Sequence, residues 1–153
     1  MPEIGEKAPK FSLPRDGGDT VTNADFAGKT LVMYFYPRDD TSGCTKESVG
    51  FSEALDDFAA AGATVVGVSK DSVASHDKFV AKRELTVPLL SDENGSLCED
   101  MGVWKEKKMY GKTYMGIERS TFVIDGDGVI QAEWRKVKVP GHVEAVLEAV
   151  RGL

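Results

Sequence analysis

Two hydrophobic rhythms alternate along this chain. Residues 30–36 form a continuous run of strand formers, Thr-Leu-Val-Met-Tyr-Phe-Tyr, apolar on both faces, which predicts a central strand covered on both sides. Pro37 ends it, because proline cannot donate to a ladder. Beyond a polar loop over residues 38–43, Phe51, Leu55 and Phe58 fall at helical spacing among alanines, and Gly62 suits the helix end. A second buried strand is expected over 64–69, a helix over about 72–83, a short strand near 88–90 and a short helix near 96–101. Residues 120–124 and 129–134 predict a hairpin across Asp125-Gly126-Asp127-Gly128. A last helix over about 142–150 carries the inner stripe Val143, Val146, Leu147 and Val150. The opening stretch, residues 4–28, is broken by Pro9, Pro14 and Gly17-Gly18, and predicts extended segments turning at the glycine pair.

Strand and helix alternate, then a hairpin and a closing helix follow. This order predicts an α/β fold: a central mixed β-sheet with helices on both faces, in three layers. The 153 residues suit a single domain, residues 1–153, with no repeat or linker. Hydrophobic residues at 41% and charged residues at 29% exclude a largely disordered chain. A net charge of −6 argues against nucleic acid or an anionic membrane surface as partner. Residues 1–13 carry no apolar signal region and no run is long enough to span a membrane, so the cytoplasm is the expected location. Two cysteines, Cys44 and Cys98, are too few for a disulfide framework or a zinc pattern, so no metal or cofactor is expected. Each cysteine is therefore core filler or a reagent.

Cys44 stands just past a buried strand, in the first turn of the following helix. The first N–H groups of a helix are unpaired and its macrodipole is positive there, so a sulfur anion is favoured and attacks as such. Gly43 allows close backbone approach, and Thr41, three residues ahead, can face the same pocket. Taken singly, each residue has a plainer reading: an inert buried cysteine, a capping threonine, and at Arg119 a surface ion pair.

Pro37, Thr41 and Cys44 read Pro-x-x-x-Thr-x-x-Cys, and the segment from Tyr36 to Glu47 closely resembles the active-site signature of peroxiredoxins, most of all the Q-type or bacterioferritin comigratory branch. Residues 5–11, 67–72, 102–104 and 118–125 share the resemblance, which extends over essentially the whole chain. It implies a thioredoxin-like fold and a peroxidase that reduces hydrogen peroxide and organic hydroperoxides through a sulfenic acid at Cys44. By the same resemblance Thr41 would hydrogen-bond the peroxide, Arg119 would favour the anionic sulfur and polarise the departing oxygen, and Pro37 would shield the site. The implied partners are a peroxide and a thioredoxin, glutaredoxin or small-thiol reductant, with the chain a monomer or weak homodimer. Ser42 departs from the branch, which usually has proline there, and is expected to leave the chemistry intact.

The reducing half of such a cycle is less legible. Q-type resolving cysteines stand five residues on, here Val49, or on the next helix, which here has no cysteine. Cys98 therefore reads as a buried residue packing beside Leu97 and Met101, or as a resolving thiol reached by unwinding the first helix. Reduction of Cys44 by an external thiol is the third possibility. A thioredoxin-like thiol–disulfide oxidoreductase lacks its Cys-x-x-Cys partner, since the flanking positions are Thr41 and Glu47; a non-catalytic redox sensor would need an unreactive Cys44. His76 and His142 show no carboxylate or cysteine at catalytic spacing and are expected to be solvated or capping. Asp39-Asp40 is expected to cap or face water, and the glycine-rich Asp125–Gly128 stretch to turn a hairpin rather than bind calcium. The basic, aromatic stretch from Lys105 to Tyr114 is expected to be a solvated loop, with a dimer or redoxin contact as the alternative.

Overall fold

The computed structural model of the chain describes residues 2–153. At its centre is a five-stranded sheet in the order β5-β4-β3-β8-β9, built from β3 (Thr30–Phe35), β4 (Ala63–Ser69), β5 (Leu89–Ser91), β8 (Ser120–Ile124) and β9 (Ile130–Trp134). β3 runs parallel to β4 and antiparallel to β8, so the sheet is mixed. The pleat sends alternate side chains to opposite faces. Val32, Tyr34 and Tyr36 join one core; Leu31, Met33 and Phe35 join the other. That is why this run is apolar throughout.

The first core is roofed by α1 (Ser42–Ala60), α2 (Val73–Arg83) and α4 (His142–Arg151), through Phe51 and Phe58, Phe79, and Val146, Leu147 and Val150. Two parallel crossovers, β3-α1-β4 and β4-α2-β5, step the same way across the sheet, which puts α1 and α2 on one face. The second core lies under the short α3 (Leu97–Asp100), the 3-10 turn Asn23–Phe26 and the hairpin of β1 (Ser12–Pro14) and β2 (Thr20–Thr22). Helices thus cover both faces, but all three long ones share one.

The hairpins at Gly17-Gly18 and at Asp125–Gly128 form where expected; Asp125 Oδ1 accepts the amides of Asp127 and Val129 at 2.9 and 3.0 Å. The stretch expected as a solvated loop does not form one. It is a two-stranded antiparallel hairpin, β6 (Trp104–Met109) and β7 (Lys112–Ile117), with Tyr110 and Gly111 in the left-handed region at its tip. Its backbone bonds are made within the pair, so it needs little apolar surface. Only its base residue Ile117 is fully buried, and Met109, Tyr110, Tyr114 and Met115 are exposed.

Candidate active site

The carboxyl end of β3 delivers the chain through residues 36–41 into α1. Thr41 is the N-cap residue, extended at φ −92° and ψ 160°, and its carbonyl accepts the amide of Thr45 at 2.8 Å to close the first turn. The amides of Ser42, Gly43 and Cys44 precede that bond and have no helical acceptor. Cys44 is 1% exposed, its thiol turned in toward Arg119.

Arg119 Nη2 donates to Cys44 Sγ at 3.3 Å, and Nη1 donates to Glu47 Oε1 at 2.6 Å. One guanidinium fork therefore holds two groups one helical turn apart on α1. Arg119 arrives from the link between β7 and β8, whose backbone is pinned by Glu118 N–H to the Val103 carbonyl at 2.8 Å and by Val137 N–H to its own carbonyl at 3.0 Å. Gly43 makes room for it: a Cβ there would lie 3.1 Å from Nη2. The close approach that glycine permits is used by the arginine.

Glu47 is fully buried, and burial pushes its carboxyl up to about 7 although Arg119 pulls it back. Its second oxygen, Oε2, has no partner among the described residues. Burial opposes the Arg119 charge, but Glu47 and Cys44 outweigh it and hold the guanidinium above its ordinary range. Nothing in the reading of the sequence assigned Glu47 a role; its position three residues after Cys44, on one helix face, was the available signal.

The other expected site residues lie as follows. Pro37 is half-buried in the loop after β3. Thr41 is exposed, and its hydroxyl donates to the Arg38 carbonyl at 3.0 Å, leaving oxygen lone pairs free to accept. Cys98 is fully buried in the other core, so the sheet stands between the two thiols. Its amide donates to Asp92 Oδ2 at 2.7 Å, and burial, then the Asp92 charge, push its thiol far up.

Three expectations are corrected. His76 is neither solvated nor without a carboxylate: it is fully buried, with Nδ1 2.7 Å from Asp39 Oδ2. Asp39 accordingly does not face water or cap α1; its side chain is 4% exposed. His142 is buried beneath Trp134 and Phe51, with Nε2 2.7 Å from the Thr121 hydroxyl. Burial, then the Arg119 charge, push it down to about 4, so it is neutral and shares one hydrogen bond with that hydroxyl. Sequence spacing misses these contacts, because Asp39 and Thr121 lie 37 and 21 positions from their histidines. No three His, Cys, Asp or Glu side chains gather to hold a metal among the described residues.

Residues 4–133 match the AhpC/TSA family. A relative from Coxiella burnetii, called putative peroxiredoxin bcp, is 50% identical over 145 residues, covering 95% of this chain and 96% of its own. A cysteine-to-serine mutant of PrxQ from Xylella fastidiosa superposes with a TM-score of 0.95 at 43% identity, covering 99% of this chain and 97% of that one. The bacterioferritin comigratory protein of Xanthomonas campestris, whose alkyl peroxide reduction activity was studied through trapped intermediate/ligand complexes, superposes with a TM-score of 0.88 at 48% identity. That match covers 93% of this chain and 90% of that one.

Proposed function

The chain belongs to the AhpC/TSA family, among the Q-type peroxiredoxins, and on that premise we propose that its peroxide chemistry runs at Cys44 with Arg119 and Thr41 as partners. It is a thiol-dependent peroxidase. The observation that carries the assignment of residues is the 3.3 Å contact of Arg119 Nη2 with the sulfur of a cysteine in the first turn of α1. There the sulfur anion faces a cation and unpaired amides together.

The anionic Cys44 sulfur attacks the distal oxygen of the peroxide. A sulfur–oxygen bond forms as the oxygen–oxygen bond breaks, and sulfur is oxidised to the sulfenic acid while the departing oxygen takes a proton and leaves as water or alcohol. Negative charge moves from sulfur toward that oxygen, so donors fixed along the line stabilise the transition state more than the ground state. Arg119 and the amide of Cys44 supply those donors, the Thr41 oxygen accepts from the peroxide O–H, and Pro37 limits water. An external thiol then attacks the sulfenic sulfur and expels water, and a second thiol frees Cys44 as the disulfide leaves. Hydrogen peroxide and alkyl hydroperoxides, the latter by likeness to the Xanthomonas relative, are the substrates of this reading. A thioredoxin, a glutaredoxin or a small thiol is its reductant.

We read the chain as one cytoplasmic domain acting as a monomer or weak homodimer, a setting that suits two free cysteines. No helix among the described residues is long and apolar enough to cross a membrane. Stopped-flow peroxide consumption tests the residue assignment. Cys44→Ser is expected to abolish it and Arg119→Ala to slow it by about 10²- to 10³-fold. Undiminished consumption in Cys44→Ser would move the chemistry elsewhere, and insulin reduction without peroxide consumption would favour a thiol–disulfide oxidoreductase.

A further inference from the structure

The peroxidase mechanism leaves one buried charged cluster unused. His76 on α2 is fully buried, with Nδ1 2.7 Å from Asp39 Oδ2 and Nε2 2.9 Å from the Leu90 carbonyl of β5. Both ring nitrogens face acceptors. A neutral imidazole has a single N–H and would leave a lone pair against one of them, whereas the imidazolium donates to both.

The surroundings supply the counter-charge. Asp39 Oδ2 also accepts the Ser75 hydroxyl at 2.8 Å, and Oδ1 accepts the Tyr36 hydroxyl at 2.6 Å. The Asp39 amide donates to Asp71 Oδ2 at 2.8 Å, just past β4. The titratable groups facing the ring are thus Asp39 and Tyr36 from the segment after β3 and Asp71 from beyond β4. Its own helix adds only Ser75, β5 only a carbonyl, and no cation bonds to the ring among the described residues. Burial opposes the charged ring, but Asp39, the Leu90 carbonyl and Asp71 outweigh it and raise the His76 pKa above the usual histidine value.

Asp39 and Asp40 lie in the loop that enters α1. Asp40 is left-handed at φ 58° and takes Lys82 at 2.6 Å and Arg83 at 2.9 Å from the last turn of α2. The loop is therefore fastened along the length of α2. The outer bonds are exposed and weak; the His76–Asp39 bond is dry. Two residues after Asp39, the Thr41 carbonyl opens α1 and sets where Cys44 stands.

We propose that His76 is a positioning residue for Cys44: as a buried imidazolium it clamps Asp39, and with it the loop that starts α1, and it releases that loop on losing its proton to solvent. The proposal rests on Cys44 as the reacting thiol. With a raised pKa, the clamp is whole below that pKa and is lost as pH rises through it.

The test combines three measurements on the full chain. Imidazole nitrogen NMR of the wild type is expected to show both His76 nitrogens protonated at neutral pH. Hydrogen exchange over residues 38–45, corrected for intrinsic rates, is expected to lose protection as His76 titrates, and the stopped-flow rate of Cys44 oxidation to fall over the same interval. In His76→Gln, which can serve one acceptor well but not both, rate and protection are expected to drop on the order of tenfold at every pH, with no alkaline limb. In Asp39→Asn, an isosteric change that lets a neutral ring accept from the amide, the alkaline limb is expected to vanish. A neutral His76 at neutral pH, or an alkaline limb unchanged in Asp39→Asn, overturns the proposal; so does wild-type exchange in His76→Gln. A wild type without peroxidase activity would fault the reading of Cys44 instead, and NMR and exchange would still decide the clamp.

Discussion

At Cys44 three residue types meet whose charges depend on one another: a sulfur that reacts as an anion, a guanidinium and a carboxyl group. Arg119 divides its fork between Sγ and Glu47, so a protonated Glu47 leaves more of the cation's field to the sulfur. Burial pushes the Glu47 carboxyl from 4.5 up to about 7, so the folded chain binds a proton there that the unfolded chain has released. Stability from this group is present below pH 4.5 and is lost as pH rises to about 7. Glu47→Gln is expected to remove that loss, gaining on the order of 3 kcal/mol relative to wild type between pH 5 and pH 7.5 in urea unfolding. Parallel pH dependence in the two proteins would contradict it. Cys44 and Glu47 were both within reach of the sequence, since an i, i+3 pair shares a helix face. Arg119, 75 positions after Cys44, was legible only through family resemblance.

At the scale of elements, α4 is tied to β8 by a buried polar contact that its apolar stripe does not reveal. His142 is hydrogen-bonded to the Thr121 hydroxyl and is pushed down from 6.5 to about 4 by burial and then by Arg119. A depressed histidine contributes stability above pH 6.5 that is lost as pH falls through about 4. His142→Gln keeps a hydrogen-bonding partner for Thr121 without a titrating ring. Its unfolding free energy in urea is expected to fall less than that of the wild type between pH 7 and pH 4, a difference of roughly 2 kcal/mol. An equal fall in both would reassign the acid sensitivity. The strands and long helices were legible because their apolar spacing is set by core contact. The β6–β7 hairpin was not, because ladder bonds hold it and its lysines and tyrosines face outward.

For the whole molecule, the sheet decides which thiols can meet. Cys44 packs with the core under α1, and Cys98 with the core under α3 on the opposite face. Peptide mapping of peroxide-treated protein is expected to find no Cys44–Cys98 disulfide, and Cys98→Ser to retain turnover with an external thiol. An intramolecular disulfide between the two would show instead that α1 unwinds far enough to carry Cys44 past the sheet edge.

Local periodicity and spacing were sufficient for the order of the central strands and long helices, the mixed sheet and the placement of Cys44 at a helix start. Each of those depends on residues within one or two turns of each other. The tertiary structure alone decided that Glu47 shares Arg119 with Cys44, that Cys98 is walled off, and that His76 and His142 are buried with distant partners. Those facts follow from how crossovers and hairpins bring remote segments together, and no local pattern of hydrophobic and polar positions encodes which buried donor meets which acceptor.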